Sequence, residues 1–374
     1  LRSDEEPCCE FIFITQILFL FITKDNMELN WSQLLKQLMD KQSLQPEQAS
    51  ALMRGWLDGA IAPELSGAIL IALQCKGVEA SELAAMAQVL QSQSEGQRLN
   101  EELGHIVDRQ KPLIDTCGTG GDGTSTFNIS TAVAFVTASA GIPVAKHGNR
   151  AVSSRAGSAD VLEAIGINLS VPITKIYEAL PAVGITFLFA PNWHPAMKAV
   201  GAIRRSLGVR TIFNLIGPLV NPLHPTAQVL GVYNRNLTHT IAASLRLLDR
   251  QQAVVLHSRE GMDEAGLNDL TDIAFLNNGQ IIEDTINPQE FGLTPAPIET
   301  LKGGNTQENA DLLRSILQGK GTSAQTDCVA LNSGLALRIG GAADSWAEGV
   351  KLGAEILRSG SAWQKAEELI NFLR

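Results

Sequence analysis

The stretch Asp115-Thr-Cys-Gly-Thr-Gly-Gly-Asp122, followed by Asn128-Ile-Ser-Thr131, Lys146-His-Gly-Asn-Arg150 and Ser153-Ser-Arg-Ala-Gly-Ser158, decides how this chain is read. A glycine-rich turn leaves one strand-like run, and a Lys/Asn/Arg cluster leaves the next. No acidic residue lies between Asp122 and Asp160. Small residues, free backbone N–H groups and cations gathered in one region suit a polyphosphate. The expected chemistry is that of an enzyme acting on a phosphate ester.

Around this stretch, strand-like runs are expected at Leu113–Thr116, Ile142–Ala145, Ile185–Phe189, Val229–Tyr233, Ala253–His257 and Ile273–Leu276. Helical stretches separate most of them, at Ile129–Ala140, Ala159–Ile165, Ile173–Leu180 and Leu237–Leu248. Such alternation argues for an α/β domain with a mainly parallel sheet. Ligands then bind at the carboxyl ends of the strands, where the glycine turn lies. Further helices are expected at Asn309–Leu317, Ala324–Ile339 and Ala347–Leu357. On the other side, Gln97 to Lys111 is polar and reads as a linker. From Trp31 to about Ser94 the period is helical: Ala49, Leu52, Met53, Trp56 and Leu57 recur on one face, as do Leu83, Met86, Ala87 and Leu90. Pro46 and Pro63 stand where first helical turns begin. The expected organisation is a small bundle of about four helices over 27–98 and an α/β domain over 99–193 and 223–374.

The chain has 374 residues, enough for one large domain or two modest ones. Its net charge of −10 disfavours nonspecific binding to nucleic acid or acidic membranes, while a local basic pocket remains allowed. Cys8, Cys9, Cys75, Cys117 and Cys328 are scattered, with no disulfide framework or zinc spacing, which fits a reducing, cytoplasmic compartment. Cys117 lies in the glycine-rich stretch, but no His–Cys pairing is evident, so a small buried residue is preferred to a nucleophile.

Residues 1–26 differ from the rest. Phe11 to Thr23 is nearly continuously apolar, shorter than the roughly 20 residues a spanning helix needs. Asp4, Glu5 and Glu6 stand where a signal peptide carries positive charge, and no small-residue cleavage site follows. The segment reads as an upstream extension outside the fold; a membrane anchor is the competing reading.

Gly118-Thr-Gly120-Gly-Asp-Gly123 matches G-x-G-x-x-G, a weak signal alone. A dinucleotide fold wants an acidic residue about 20 positions on. Here that region carries Lys146 and His147 instead. No Lys-Ser/Thr follows the glycines, which excludes a Walker loop. A bland tight turn would explain the glycines. Asn128, Ser130 and Thr131 at the next helix start, with Lys146, Asn149, Arg150 and the hydroxyls of Ser153, Ser154 and Ser158, turn that turn into one wall of an anion site.

These motifs resemble those of anthranilate phosphoribosyltransferases. The resemblance continues through His194-Pro-Ala-Met-Lys198, Arg210-Thr-Ile-Phe-Asn-Leu-Ile-Gly-Pro-Leu219, Asn221-Pro222, Gly261-Met-Asp-Glu264, Gly303-Gly304 and Asn309-Ala310, in order from about Met27 to the C-terminus. It implies a small helical domain, joined by helices from about 194–222, and a larger α/β domain. It also implies a homodimer through the small domain. The implied reaction moves phosphoribose from phosphoribosyl pyrophosphate to the amine of anthranilate, the second step of tryptophan synthesis from chorismate, with two magnesium ions.

By the same resemblance, Gly118, Gly121, Asp122, Thr126, Asn128, Ile129, Ser130 and Thr131 would bind phosphoribosyl pyrophosphate. Lys146, His147, Gly148, Asn149, Arg150, Ala151, Val152, Ser153, Ser154 and Ser158 would complete that site. Gly118, Asn149 and Arg204 would line the anthranilate pocket, the guanidinium meeting the carboxylate. Without the resemblance, Arg205 is an equal candidate for that role. Asp263 and Glu264, otherwise readable as a solvated turn, would hold the metal with Ser130. Two carboxylates beside a polyanion require a cation between them. His147 is given a binding role, with proton transfer left open, and no covalent or obligate acid–base residue is assigned.

Two other functions are consistent with parts of this reading. A pyrimidine nucleoside phosphorylase would share the architecture but use inorganic phosphate, and the acidic pair and the Lys146–Arg150 loop argue against it. A noncatalytic nucleic-acid binder would need a basic face, against the overall charge. One expectation concerns the apolar head: deleting residues 1–26 leaves activity and solubility intact, and loss of folding on that deletion would refute it.

Overall fold

A computed structural model describes residues 30–103, 111–151 and 155–374. The extension expected at 1–26 therefore lies outside the described residues. Four helices open the described chain: Trp31–Met39, Pro46–Leu57, Pro63–Lys76 and Ala80–Ser92. Asn30 caps the first by accepting from the backbone of Ser32 and Gln33. Pro46 and Pro63 begin the second and third, where a missing N–H costs nothing. A buried ion pair ties the group together. Lys76 Nζ lies 2.9 Å from Glu82 Oε2, and Glu82 also accepts from the backbone N–H groups of Leu44 and Glu79.

The expected linker from Gln97 is corrected in part: Glu95–Leu103 is a fifth helix. Leu99 is fully buried, Asn100 accepts a 2.6 Å bond from the Tyr177 hydroxyl, and Gly96 packs directly on Pro222. Polar composition concealed a helix anchored by Leu99, by the Tyr177–Asn100 bond and by the close approach of Gly96 to Pro222. Residues 104–110 lie outside the described set.

Seven strands form one sheet among the described residues: β1 Ile114–Gly118, β2 Val144–Gly148, β3 Ile185–Phe189, β4 Ala227–Gly231, β5 Gln252–Ser258, β6 Thr271–Asn277 and β7 Gln280–Ile286. The order is β3-β2-β1-β4-β5-β6-β7. The first five pair in parallel; β6 and β7 are antiparallel. The six expected strands are present, displaced by a few residues at their ends. β7 was not anticipated, because an exposed edge strand of sequence Gln-Ile-Ile-Glu-Asp-Thr-Ile lacks an apolar run. Its signal was the turn: Asn278 and Gly279 both have positive φ, as a two-residue hairpin requires. The helix Ser361–Phe372 was also unanticipated, although Ala362, Ala366, Leu369 and Ile370 recur on its buried face.

The two faces of the sheet serve different cores. Val254, Leu256 and Ile273 pack with the buried helices Ile129–Ser139 and Ser323–Ile339. Their neighbours Ala253, Val255, Ala274 and Leu276 pack with the N-terminal helices. The period of two along β5 divides its side chains between these cores. Segments Pro195–Val200, Gly201–Leu207 and Ile212–Ile216 lie against the helices at 46–57, 63–76 and 80–92. Gln91 donates to the carbonyls of Leu219 and Asn221, closing this junction. No helix among the described residues is long and apolar enough to cross a membrane.

Glu82→Ala leaves Lys76 and two backbone donors without their buried acceptor. It is expected to cost about 3 kcal/mol of stability, read by urea unfolding. An unchanged midpoint would show that the ion pair is dispensable.

Candidate functional site

β1 and β4 are sequence-distant neighbours from which the chain departs in opposite directions across the sheet. The crevice at their carboxyl ends is the topological switch point, where ligands of such sheets bind. Gly118 pairs with Gly231 at these two ends. A Cβ on Gly118 would collide with the Asp263 carboxylate, and one on Gly231 with the Asp263 backbone. Two glycines thus let the loop carrying Asp263 and Glu264 settle directly on the strand ends.

The loop is held there by the glycine turn. Gly120 N–H donates to Asp263 Oδ2 at 2.7 Å, and Asp263 N–H donates to Asp122 Oδ2 at 3.3 Å. Asp122 also accepts from the Thr124 backbone and hydroxyl, which shapes the turn. Ser130, in the first turn of Ile129–Ser139, donates its N–H to Glu264 Oε1 at 3.2 Å. Lys146, buried on β2, reaches Ser130 Oγ at 3.1 Å and the Thr116 carbonyl. Glycine turn, helix start, lysine and acidic pair, widely separated in sequence, therefore meet at one place.

Asp263 is buried and Glu264 partly so. Burial, reinforced by the nearby Asp122 carboxylate, raises Asp263 from 3.8 to about 7. Burial and the Asp263 charge likewise push Glu264 well above its ordinary range, with Lys146 opposing. All donors are oxygens, and the pair is short of positive charge, which suits a hard divalent cation. Among the described residues no three His, Cys, Asp or Glu side chains converge as a metal cage. Any such ion must then draw much of its coordination from ligand oxygens and water.

Behind this crevice lies a network that sequence reading did not assign. Asp115 is fully buried and accepts from His147 N–H at 3.1 Å and from Asn221 Nδ2 at 2.9 Å. Asn221 also donates to the Ala145 carbonyl at 2.7 Å. Burial raises Asp115, against the Lys146 charge and these hydrogen bonds. Asp115 therefore fixes the end of β2 from which the Lys146–Arg150 loop departs. His147 itself packs edge-on to His194, with ring centroids 5.3 Å apart. Burial lowers His147 to about 3 and His194 to about 4, so both rings are neutral near pH 7. Cys117 is buried, with its thiol pushed well above the usual range chiefly by burial; it is a small core residue.

The rest of the expected loop is arranged less simply. Arg150 pairs with Asp160 and Glu163, at 2.8 and 2.7 Å, instead of facing the crevice as an unpaired cation. The absence of acid before Asp160 had obscured this, because the helix beginning at Ser158 folds its first turns back onto the loop. Asp160 Oδ2 also accepts from Ala151 N–H, and Ser158 donates to the Asn149 carbonyl. Asn149 is exposed, while Gly148 ends β2. Asn128 Nδ2 reaches the Ala156 carbonyl at 3.5 Å; Ile129 and Thr131 are buried in the helix. Thr126 bridges to Lys302, bringing Gly303 and Gly304 beside the turn. Val152, Ser153 and Ser154 lie outside the described residues. Arg204 is half-buried in Gly201–Leu207, its guanidinium 5.6 Å from the Phe213 ring centre, whereas Arg205 is exposed.

Comparisons with known proteins give the family of this fold. Residues 110–363 match the model of the glycosyl transferase family a/b domain, and 32–94 match its helical bundle domain. An anthranilate phosphoribosyltransferase of Trichodesmium erythraeum is 58% identical over 352 residues, 93% of this chain and 99% of the relative. One from Synechococcus elongatus is 57% identical, covering 91% of this chain and 96% of its own. The chain belongs to the anthranilate phosphoribosyltransferase family. A family member of solved structure, from Thermus thermophilus, superimposes with a TM-score of 0.83 at 39% identity, over 91% of this chain and 99% of that one. The helical bundle match covers the N-terminal helices from Trp31 to Ser92, and the a/b match covers the seven-stranded sheet and the helices around it.

The raised Asp263 has a thermodynamic consequence. Between pH 4 and about 7 the folded chain holds a proton that the unfolded chain has released. In chelator, Asp263 therefore lowers stability progressively as pH rises through that window. His147 and His194 act oppositely, because the unfolded chain binds their protons up to about pH 6.5. The Tm of Asp263→Asn relative to the unsubstituted protein isolates the carboxyl: the difference should grow in favour of the variant from pH 4 to pH 7. A pH-independent difference would contradict the raised Asp263.

Proposed function

We propose that the chain transfers phosphoribose from phosphoribosyl pyrophosphate to the amine of anthranilate. The observation that carries this reading is the meeting of the glycine turn, Lys146, Ser130 and the Asp263–Glu264 pair at the switch point. The C1–N bond forms as the C1–O bond to pyrophosphate breaks, and the electron pair leaves with pyrophosphate. The anthranilate amine is neutral at pH 7, attacks through its lone pair, and once bonded to C1 gives up a proton to water or to the departing pyrophosphate. Negative charge grows on the leaving group and positive character on the sugar, so the site must supply positioning and charge rather than a protein nucleophile.

Gly118, Gly121, Asp122, Thr126 and the Asn128–Thr131 helix start would hold the diphosphate end through backbone N–H groups and hydroxyls. Lys146 supplies charge, and the loop from His147 to Ala151 with Ser158 would take the ribose and its phosphate. His147, held neutral, would bind through the ring without adding charge. Asp263 and Glu264, with Ser130, would hold magnesium, which neutralises pyrophosphate oxygens when bound. Two carboxylates plus substrate oxygens form a donor set that magnesium accepts. A structure of the Saccharomyces cerevisiae enzyme was obtained with phosphoribosyl pyrophosphate and Mg, and another with 4-fluoroanthranilate. Two ions is the stoichiometry we infer.

Arg204 would bind the anthranilate carboxylate. Its partial burial strengthens a bidentate contact, and exposed Arg205 lacks that advantage. Gly118 and Asn149 would line the same pocket. The working form would be a homodimer through the N-terminal helices, on which Met39 and Ile71 are exposed. The reaction belongs to tryptophan formation, and we place it in the cytoplasm.

Loss of anthranilate fluorescence with phosphoribosyl pyrophosphate and magnesium tests the reading. Consumption should require all three components. Arg204→Ala should raise the KM for anthranilate about 10- to 100-fold, the loss of a charged hydrogen-bonded pair. The double variant Asp263→Asn/Glu264→Gln should lose nearly all turnover. No consumption by folded protein would overturn the reaction, and an Arg204→Ala enzyme with unchanged KM would move the carboxylate site elsewhere.

A further inference from the structure

Arg210 lies between the Arg204 helix and Ile212–Ile216, yet its guanidinium reaches the glycine turn. The guanidinium carbon stands 3.9 Å from the centre of the Tyr233 ring, a close stacking contact. A Cβ on Gly121 would lie 2.8 Å from Arg210 Nη2, so the group touches the turn where it has no side chain. Gly121 has φ +72°, a conformation that also favours glycine. Tyr233 is tied to the same turn: its N–H donates to Thr119 Oγ1 at 3.0 Å, and Thr119 N–H donates to the Gly231 carbonyl at 2.9 Å.

Among the described residues no carboxylate forms an ion pair with Arg210, whereas Arg150 is doubly paired. A half-buried guanidinium with an aromatic platform and no counter-ion is oriented for a ligand anion. It faces the turn whose N–H groups are assigned to the diphosphate.

We propose that Arg210, braced on Tyr233, is a further pyrophosphate-binding residue that contacts the leaving diphosphate of phosphoribosyl pyrophosphate. This inference rests on the reaction proposed above. Because residue 210 belongs to the segment packed on the N-terminal helices, the diphosphate would be gripped from both sides of the crevice. Arg210 would then link the diphosphate site to the segment carrying Arg204.

Calorimetric titration with magnesium pyrophosphate, and separately with ribose 5-phosphate, tests the assignment without relying on turnover. Arg210→Ala should weaken pyrophosphate about tenfold or more and leave ribose 5-phosphate within about twofold. Arg210→Lys should fall between, because it keeps the charge but loses the planar stack. Tyr233→Leu should weaken pyrophosphate and Tyr233→Phe should not. Arg246→Ala, which removes an exposed positive charge elsewhere, should match the unsubstituted protein. In kinetics, KM for phosphoribosyl pyrophosphate should rise in Arg210→Lys while KM for anthranilate holds. Unchanged pyrophosphate affinity in Arg210→Ala, or equal weakening of ribose 5-phosphate, overturns the assignment and leaves the reaction standing. Failure of the unsubstituted protein to bind pyrophosphate or phosphoribosyl pyrophosphate overturns both.

Discussion

The Asp263–Glu264 loop rests on the ends of β1 and β4 because Gly118 and Gly231 have no side chains there. Everything else in the crevice is referred to that contact. It brings Asp263 within reach of the Gly120 N–H and Glu264 within reach of Ser130 at the start of a buried helix. A methyl group at either glycine would lift the acidic pair from the strand ends and separate it from Lys146. The parallel sheet supplies the crevice, and two missing Cβ atoms determine what can sit in it.

That close packing has an electrostatic cost. Asp263 and Glu264 are drawn from water beside Asp122, and burial with mutual repulsion lifts their protonation ranges. Lys146 compensates incompletely, because its charge is shared with Asp115 on the neighbouring strand β1 and burial pushes it down as well. An excess of buried negative charge facing a cleft is unfavourable by itself and favourable once a divalent cation arrives with its ligand. The same argument explains why Asp115 is engaged by Asn221 and the His147 N–H: its charge is fixed internally, away from the crevice.

Most of the fold and much of the candidate site were legible because both rest on local patterns. Short apolar runs alternating with helices located six strands, and the glycine turn located the crevice. What sequence concealed was set by tertiary contacts. Strand β7 is amphipathic only weakly because it is an edge. Leu99 and Asn100 hold a helix that composition reads as a linker. Arg150 looked available until a helix starting at Ser158 brought Asp160 and Glu163 onto it. Arg210 opens the Arg210–Leu219 motif, but nothing local indicates that it stacks on a tyrosine 23 positions away in sequence and touches a glycine in another part of the chain.

The division of the molecule into two cores gives the proposed chemistry a mechanical logic. One core holds the sheet face and helices behind Lys146 and Ser130; the other joins the opposite face to the N-terminal helices and to residues 200–220. Arg204 and Arg210 sit on that second body, whereas the glycine turn and the acidic pair sit at the strand ends. A nucleophilic acceptor bound by Arg204 and a diphosphate bound by the turn would approach each other across the junction. Tyr233 lies two residues beyond the end of β4 and stacks against Arg210, so an aromatic–guanidinium contact, not an ion pair, joins the two sides here. Such a contact orients the guanidinium without neutralising it, which leaves its charge for an anion in the crevice.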